Sequence, residues 1–236
     1  LHIPLYFKLT KLTERYQPIE HNQSILNSEK IPIMQEWWDL SHKCMIEAGL
    51  HRDKLSQTVE SSLIVLRDRV PEFLSILNHR EVPVLIFSAG LGNVIELILE
   101  RFKICHPNIR IVSNFMDFNQ EGVLSGFQEP LIHSYNKNAA SISNTDFFTT
   151  MLMRRQSVLL LGDSIGDIHM ADGLFHNHID LNCSTSNYNS LENGMSFLRA
   201  GWWSEDSKRT PSCTSHTVLR IGFLNHSVCF YRWISH

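Results

Sequence analysis

The sequence has no Cys-x-x-Cys pair, no apolar run long enough to span a bilayer and no marked excess of either charge. Its five cysteines, Cys44, Cys105, Cys183, Cys213 and Cys229, are widely spaced and odd in number. That argues against a zinc knuckle or a dithiol redox motif and suits a reducing compartment. A formal net charge of −3 and a pI near 6.5 give no electrostatic basis for binding a nucleic-acid polymer or a membrane surface. Neither a signal-like leader nor an internal repeat is present, so the expected location is the cytoplasm. The three glycosylation-type tripeptides, beginning at Asn22, Asn182 and Asn225, are too common by chance to argue otherwise. The first residue is Leu1, so a piece of a longer reading frame is expected.

What the chain does have is enough apolar sequence for one sizeable core with a smaller cap: 236 residues, 43% hydrophobic and 19% charged. Its most informative stretch runs from Val158 to Asp167. Val158-Leu159-Leu160-Leu161 reads as a buried parallel strand. Gly162-Asp163-Ser164-Ile165-Gly166-Asp167 would then lie at the strand's carboxyl end, where open α/β sheets place their ligands. Two carboxylates four residues apart there suit Mg²⁺.

Before residue 65 the chain reads as helices. Asn22-Gln23-Ser24 breaks the first, and Ser28 is expected to cap the next, with Pro32 in its first turn. Met34, Trp37, Trp38 and Met45 recur at helical spacing, as do Leu63, Leu66 and Val70. A stripe of this kind reads as core, but neighbouring rings on a helix are about 100° apart, which leaves one of the two tryptophans free to face a cleft. From Val82 the pattern changes. Strands are expected at 82–87 and 109–113, a helix from Gly92, and a hairpin from Phe115 to Phe127 turning at 119–122. A polar connection follows from Pro130 to Asn138, then a helix over about 143–154, the strand at 158–161, and a helix beginning at 168–173. This alternation predicts a parallel βαβ sheet. Beyond residue 182 no period is visible until another strand over 218–225. The expected units are a helical cap at 1–65, an α/β core at 66–182, an irregular insertion at 183–216 and a shortened end of the core at 217–236.

Three strand ends or loops carry chemistry. The Ser88 hydroxyl and the amide of Ala89 follow an apolar strand and could hold a phosphate oxygen; a helix cap is the alternative. Lys137 could neutralise a phosphoryl group or be a solvated loop lysine. Asp163 and Asp167 supply the carboxylate end. Serine, lysine and paired aspartates in this order are more specific together than any one alone.

Phe87-Ser88-Ala89-Gly90, Asn136-Lys137-Asn138 and Gly162-Asp163-Ser164-Ile165-Gly166-Asp167 resemble the second, third and fourth motifs of the haloacid dehalogenase superfamily. Tyr16-Gln17-Pro18-Ile19-Glu20, Glu36-Trp37-Trp38, residues 112–118 and Met170-Ala171-Asp172-Gly173 are similar to the cytosolic 5′-nucleotidase III family. Within it, the Trp-Trp pair and the Gly-Asp-Ser-Ile-Gly-Asp loop most resemble the 7-methylguanosine phosphate-specific branch. The resemblance implies a haloacid-dehalogenase-like α/β fold, a parallel sheet core flanked by helices with an N-terminal helical cap. It also implies a monomeric, Mg²⁺-dependent 5′-nucleotidase acting on pyrimidine or 7-methylguanosine monophosphate. By the same resemblance, Ser88 and Ala89 bind the substrate phosphate, and Lys137 neutralises it in the transition state. Asp163 ligates Mg²⁺, Asp167 supports that site or positions Lys137, Glu20 recognises the base edge, and Trp37 or Trp38 stacks on the base.

The chain departs from the family in two places. The first motif, Asp-x-Asp-x-Thr-Leu, is absent, and Asp117-Phe118-Asn119 does not replace it. Without that motif the sheet is expected to lack its central strand, and the chain to turn over little or no substrate. A non-catalytic nucleotide-binding or interaction protein is the competing expectation. The segment before Ile221 is also longer than in the family, which points to an incomplete or mis-spliced reading frame.

Overall fold

The computed structural model describes residues 3–143, 145–152, 155, 157–162, 165–173, 178–183 and 217–221. Three helices come first: α1 (Ile3–His21), α2 (Asn27–Glu47) and α3 (Arg52–Ser61). The break at 22–26 falls where the polar run places it. The start of α2 does not: Leu26, not Ser28, is the N-cap, and the Glu29 carboxylate accepts from the Leu26 amide at 3.3 Å. The helix therefore starts without a side-chain cap of its own, and Pro32 lies inside it. The Leu63, Leu66 and Val70 stripe is not helical either. Residues 62–68 are irregular, and Leu63 and Val65 face solvent. There a two-residue alternation competes with the helical reading, and α4 (Val70–His79) begins only afterwards.

The core is a five-stranded parallel sheet in the order β2-β1-β7-β5-β6. Its strands are β1 (Val84–Leu91), β2 (Ile109–Asn114), β5 (Ser157–Gly162), β6 (His178–Cys183) and β7 (Thr217–Ile221). The hairpin β3 (Met116–Phe118) and β4 (Leu124–Phe127) forms a separate two-stranded sheet. Side chains alternate faces along a strand. Leu85, Phe87, Val158 and Leu160 thus enter one cluster, with Ile132, Leu152 and Met170. Val84 and Ile86 enter the other, beneath Leu74 and Leu77 of α4 and Leu99 of α5 (Gly92–Arg101). Burial on both faces explains why β1 reads as an uninterrupted apolar run.

The expected gap at the centre of the sheet is filled. β7 lies between β1 and β5, with Leu219 level with both Val84 and Leu159. Strand β6, which the sequence reading did not separate from the polar segment after it, pairs along the whole of β5. The expected helix at 143–154 is a π-helical turn at Phe148–Leu152, preceded by a 3₁₀ turn at Ala139–Ser141. The segment after β5 is likewise 3₁₀, at Ile165–Ala171. The irregular segment expected at 183–216 lies outside the described residues beyond Cys183.

The helical layer is fastened to the sheet by apolar packing and by hydrogen bonds. Leu5 and Leu9 of α1, Met45 of α2 and Leu55 of α3 pack with Leu91, Met116 and Leu124. Arg101 of α5 donates to the Val59 carbonyl at 2.6 Å and to the Ser62 hydroxyl and carbonyl at 2.9 and 3.0 Å. Inside the core, fully buried Asn114 donates to the carbonyls of Ala89 and Ile132 at 2.8 and 2.9 Å and accepts from the Ile132 amide at 2.8 Å. Replacing it by alanine leaves three buried backbone groups unpaired. Asn114→Ala is therefore expected to lower stability by about 3 kcal/mol or more in urea denaturation. A loss under about 1 kcal/mol would show that the amide is not the tie between β1 and the 131–138 loop.

Candidate functional site

The site forms where β1 leaves its regular ladder. Phe87 pairs with Val112 and Leu91 with Asn114, so β1 carries two more residues than β2 between those pairs. Residues 88–90 bulge out, as strands do when they re-aim groups at a sheet end. Ser88 is buried, and its Oγ accepts from the Gly90 amide at 3.0 Å, which leaves the hydroxyl proton to be donated. It is not a helix cap, because α5 is capped at Leu91.

Lys137 reaches the same end of the sheet from the loop after β4, and Asp167 from the 3₁₀ turn after β5. The two form a buried ion pair, with side chains 1% and 5% exposed. This rules out the solvated-lysine alternative. Gly162, the last residue of β5, makes room for the pair: a β-carbon there would sit 2.6 Å from Asp167 Cβ and Oδ2. Ala89, Ile132, Met170 and Ala171 share one apolar cluster, so the bulge, the lysine loop and the aspartate turn rest on common packing.

Asp163, the expected metal ligand, lies outside the described residues. Among the described residues no group of three or more His, Cys, Asp or Glu side chains could hold a metal, and the Asp167 carboxylate is already engaged by Lys137. These residues alone therefore do not make a Mg²⁺ site. What they bring to one end of the sheet is a hydroxyl with a proton to donate, on Ser88, and a buried lysine–aspartate pair.

The expected base-recognition residues lie on the helical layer beside this end. Glu20, half-buried near the end of α1, accepts through its carboxylate from the Ser134 hydroxyl. Its backbone carbonyl accepts from Tyr135 Oη and from Lys30 Nζ, both at 2.8 Å. Trp37 is buried and Trp38 half-buried. Their rings do not diverge as the helical spacing suggests: they stack at 5.6 Å and 6°, and Trp37 also lies parallel to Tyr16 at 5.8 Å. Trp37 is thus core, whereas Trp38 packs against the cluster containing Phe87 and Ala89. Both indole N–H groups are buried without an acceptor among the described residues, so each has a hydrogen bond left to give. Lys30, Asn114, Ser134 and Tyr135 escaped the sequence reading. A buried lysine on a helix has no local sequence signal; Asn114 and Tyr135 act through backbone groups, and Ser134 through a carboxylate more than a hundred residues away.

A bulged strand end, a buried lysine–aspartate pair and a helical layer over a parallel sheet define a haloacid-dehalogenase-like α/β protein. A family model described as pyrimidine 5′-nucleotidase (UMPH-1) matches residues 4–200. The human 7-methylguanosine phosphate-specific 5′-nucleotidase is 43% identical over 167 residues, 71% of this chain and 55% of the human protein. Its Drosophila melanogaster counterpart is 37% identical over 164 residues, 70% of this chain and 51% of that protein. The crystal structure of cytosolic 5′-nucleotidase IIIB bound to cytidine superposes with a TM-score of 0.70 at 34% identity, covering 78% of this chain and 61% of that one. The chain belongs to the pyrimidine 5′-nucleotidase (UMPH-1) family and spans about half the length of these curated relatives.

Two predictions follow from the buried charges. Lys137→Met strands the Asp167 carboxylate and is expected to cost about 3–5 kcal/mol in urea denaturation; restoration of stability by adding Asp167→Leu would show that the strandedness, not lost packing, is responsible. The second concerns His42, which lies face to face with Phe127 at 3.6 Å, and His133. Burial lowers each from an ordinary 6.5 to about 4. Both fold neutral while the unfolded chain takes up protons below about 6.5. Their contribution is therefore complete above that pH and lost as pH falls towards 4, by on the order of 3 kcal/mol per imidazole. Urea midpoints measured at stepped pH should fall through this window, and less steeply in His42→Phe and His133→Asn. An unchanged slope in both variants would refute the assignment.

Proposed function

We propose that the protein is a 5′-nucleotidase in kind, built to take nucleoside 5′-monophosphates with a pyrimidine or 7-methylguanine base. What supports this reading is one apolar cluster that joins Ala89 at the strand end to Trp38 on the helical layer. Ser88, Ala89 and the Lys137–Asp167 pair face the sheet end, and Glu20 and Trp38 lie beside them on the helical layer. In this reading the Ser88 hydroxyl and the Ala89 amide hold the phosphate, and the Lys137 ammonium neutralises its charge. The Glu20 carboxylate accepts from the N–H-rich base edge, and Trp38 supplies a stacking surface. Asp167 positions Lys137, and Asp163, next in sequence after Gly162, is the carboxylate offered to Mg²⁺. The buried pair favours positioning over metal ligation for Asp167, because an ammonium already occupies its carboxylate.

Residues 1–65 act as the base-recognising cap and 66–182 as the phosphate-handling core, with 183–216 an irregular insertion and 217–236 a truncated end of the core. The protein works as a cytoplasmic monomer. Among the described residues no helix is long and apolar enough to cross a membrane.

Phosphoryl transfer of this type begins with in-line attack by a carboxylate. No Asp-x-Asp pair occurs anywhere in the sequence. This favours a second reading for the chain itself: it binds the nucleotide without turning it over. Phosphate release from CMP and from 7-methyl-GMP with Mg²⁺ should not exceed that of an Asp163→Ala control. Calorimetry should detect CMP binding that weakens about tenfold in Ser88→Ala, the loss of one charge-assisted hydrogen bond. Turnover above the control would overturn the non-catalytic reading, and the absence of any CMP binding would overturn the assignment of the site.

A further inference from the structure

The loop that presents Lys137 also holds Glu20, and it is braced along the whole distance between them. At one end Ser134 donates to the Glu20 carboxylate, and Tyr135 Oη donates to the Glu20 carbonyl at 2.8 Å. Lys30, buried, donates to the same carbonyl at 2.8 Å and lies 5.4 Å from the centre of the Tyr135 ring. At the other end, two residues beyond Tyr135, Lys137 meets Asp167.

Asn136 ties the two ends together. Its Nδ2 donates to the Leu131 carbonyl at 2.7 Å, its Oδ1 accepts from the His133 amide at 2.7 Å, and its own amide donates to the His133 carbonyl at 3.2 Å. Its carbonyl accepts from the Asn138 amide at 2.9 Å and from the Ser141 hydroxyl. The Tyr135 amide donates to His133 Nδ1 at 3.2 Å, and Asn114 fixes Ile132 to Ala89 beside Ser88. A segment cross-linked this densely moves as one body, so holding one end holds the other.

We propose that Ser134 and Tyr135 are positioning residues that couple the base-recognising half-site to the phosphate-holding half-site. A group bound to Glu20 restrains Ser134 and Tyr135, and through Asn136 it restrains Lys137. The ordering cost of the loop falls on whichever group binds first, so the second binds tighter. The coupling is reciprocal: nucleoside strengthens phosphate by the same factor as phosphate strengthens nucleoside. Neither residue needs to touch phosphorus. The consequence is selectivity by joint occupancy, which disfavours small phosphoesters that lack a base. This proposal rests on the assignment of Glu20 and Lys137 to the two halves of one nucleotide site.

The test uses the full chain with two probes, cytidine and inorganic phosphate. Phosphate affinity is measured by calorimetry without cytidine and with cytidine at saturation. In the unaltered protein cytidine should tighten phosphate by about fivefold or more. In Ser134→Ala and in Tyr135→Phe, which removes a single oxygen, that ratio should fall towards one, while phosphate affinity without cytidine stays within about twofold. A role limited to stability would lower the melting temperature and leave the ratio alone. Independent binding of both probes, or a ratio that survives both substitutions, overturns the coupling and leaves the site assignment standing. Failure to bind either probe overturns the assignment and the coupling with it.

Discussion

A lysine and an aspartate with almost no solvent exposure, Lys137 and Asp167, constrain the rest of the site. Taking two charges out of water is tolerable only when geometry is fixed by the surroundings and the remaining polar groups find partners. The surroundings show what that requires. Gly162 must lack a side chain, because any β-carbon would press on Asp167. The loop carrying Lys137 must keep its shape without regular secondary structure, and Asn136 and Asn114 supply the bonds that do so. The apolar cluster beneath must be continuous from Ala89 to Ala171. A surface lysine samples many orientations, whereas Lys137, buried and held by the Asp167 carboxylate, is fixed in place. Preorganisation of this kind is the main protein contribution to phosphoryl chemistry.

Strand β1 was the most legible from sequence because both of its faces are buried. Continuous apolar runs ending in small residues located β1 and β5, the alternating Ile109, Ile111 pattern located β2, and the polar turn at 119–122 located the hairpin. The less regular parts were hidden for physical reasons. The 62–68 segment has apolar residues at a spacing that suits both a helix and an extended chain, and only tertiary packing chooses between them. The turns after β4 and β5 are short 3₁₀ and π segments, which have no extended periodicity to read. Strand β6 alternates polar and apolar residues beside a polar run, so its boundary carries no signal. Nor could local sequence show that β7 inserts between β1 and β5. Strand order is a property of the whole sheet.

The site divides in the same way. Ser88 and Lys137 were legible as a motif order, and their burial turns that order into a physical arrangement. Glu20 was legible only through resemblance, since a glutamate near a helix end looks like any solvated carboxylate. The tryptophans show the limit of helical-wheel reasoning. Adjacent positions point in different directions at the backbone, yet the two side chains fold back to stack at 6°, and the shared surface continues to Tyr16. That leaves Trp38, rather than Trp37, next to the strand end. The residues that join the half-sites, Ser134, Tyr135 and Asn136, sit in a polar connection whose composition alone says only that it is a loop.

In the function proposed above, the sheet end and the helical layer form one nucleotide site with fixed polarity. The most direct measurement is a crystal structure of this chain with CMP bound. Phosphate oxygens are expected within hydrogen-bonding distance of Ser88 Oγ and Lys137 Nζ, with the cytosine edge on the Glu20 carboxylate. A nucleotide bound in the opposite sense, or bound away from Lys137 while the Lys137–Asp167 pair stays sealed, would contradict it.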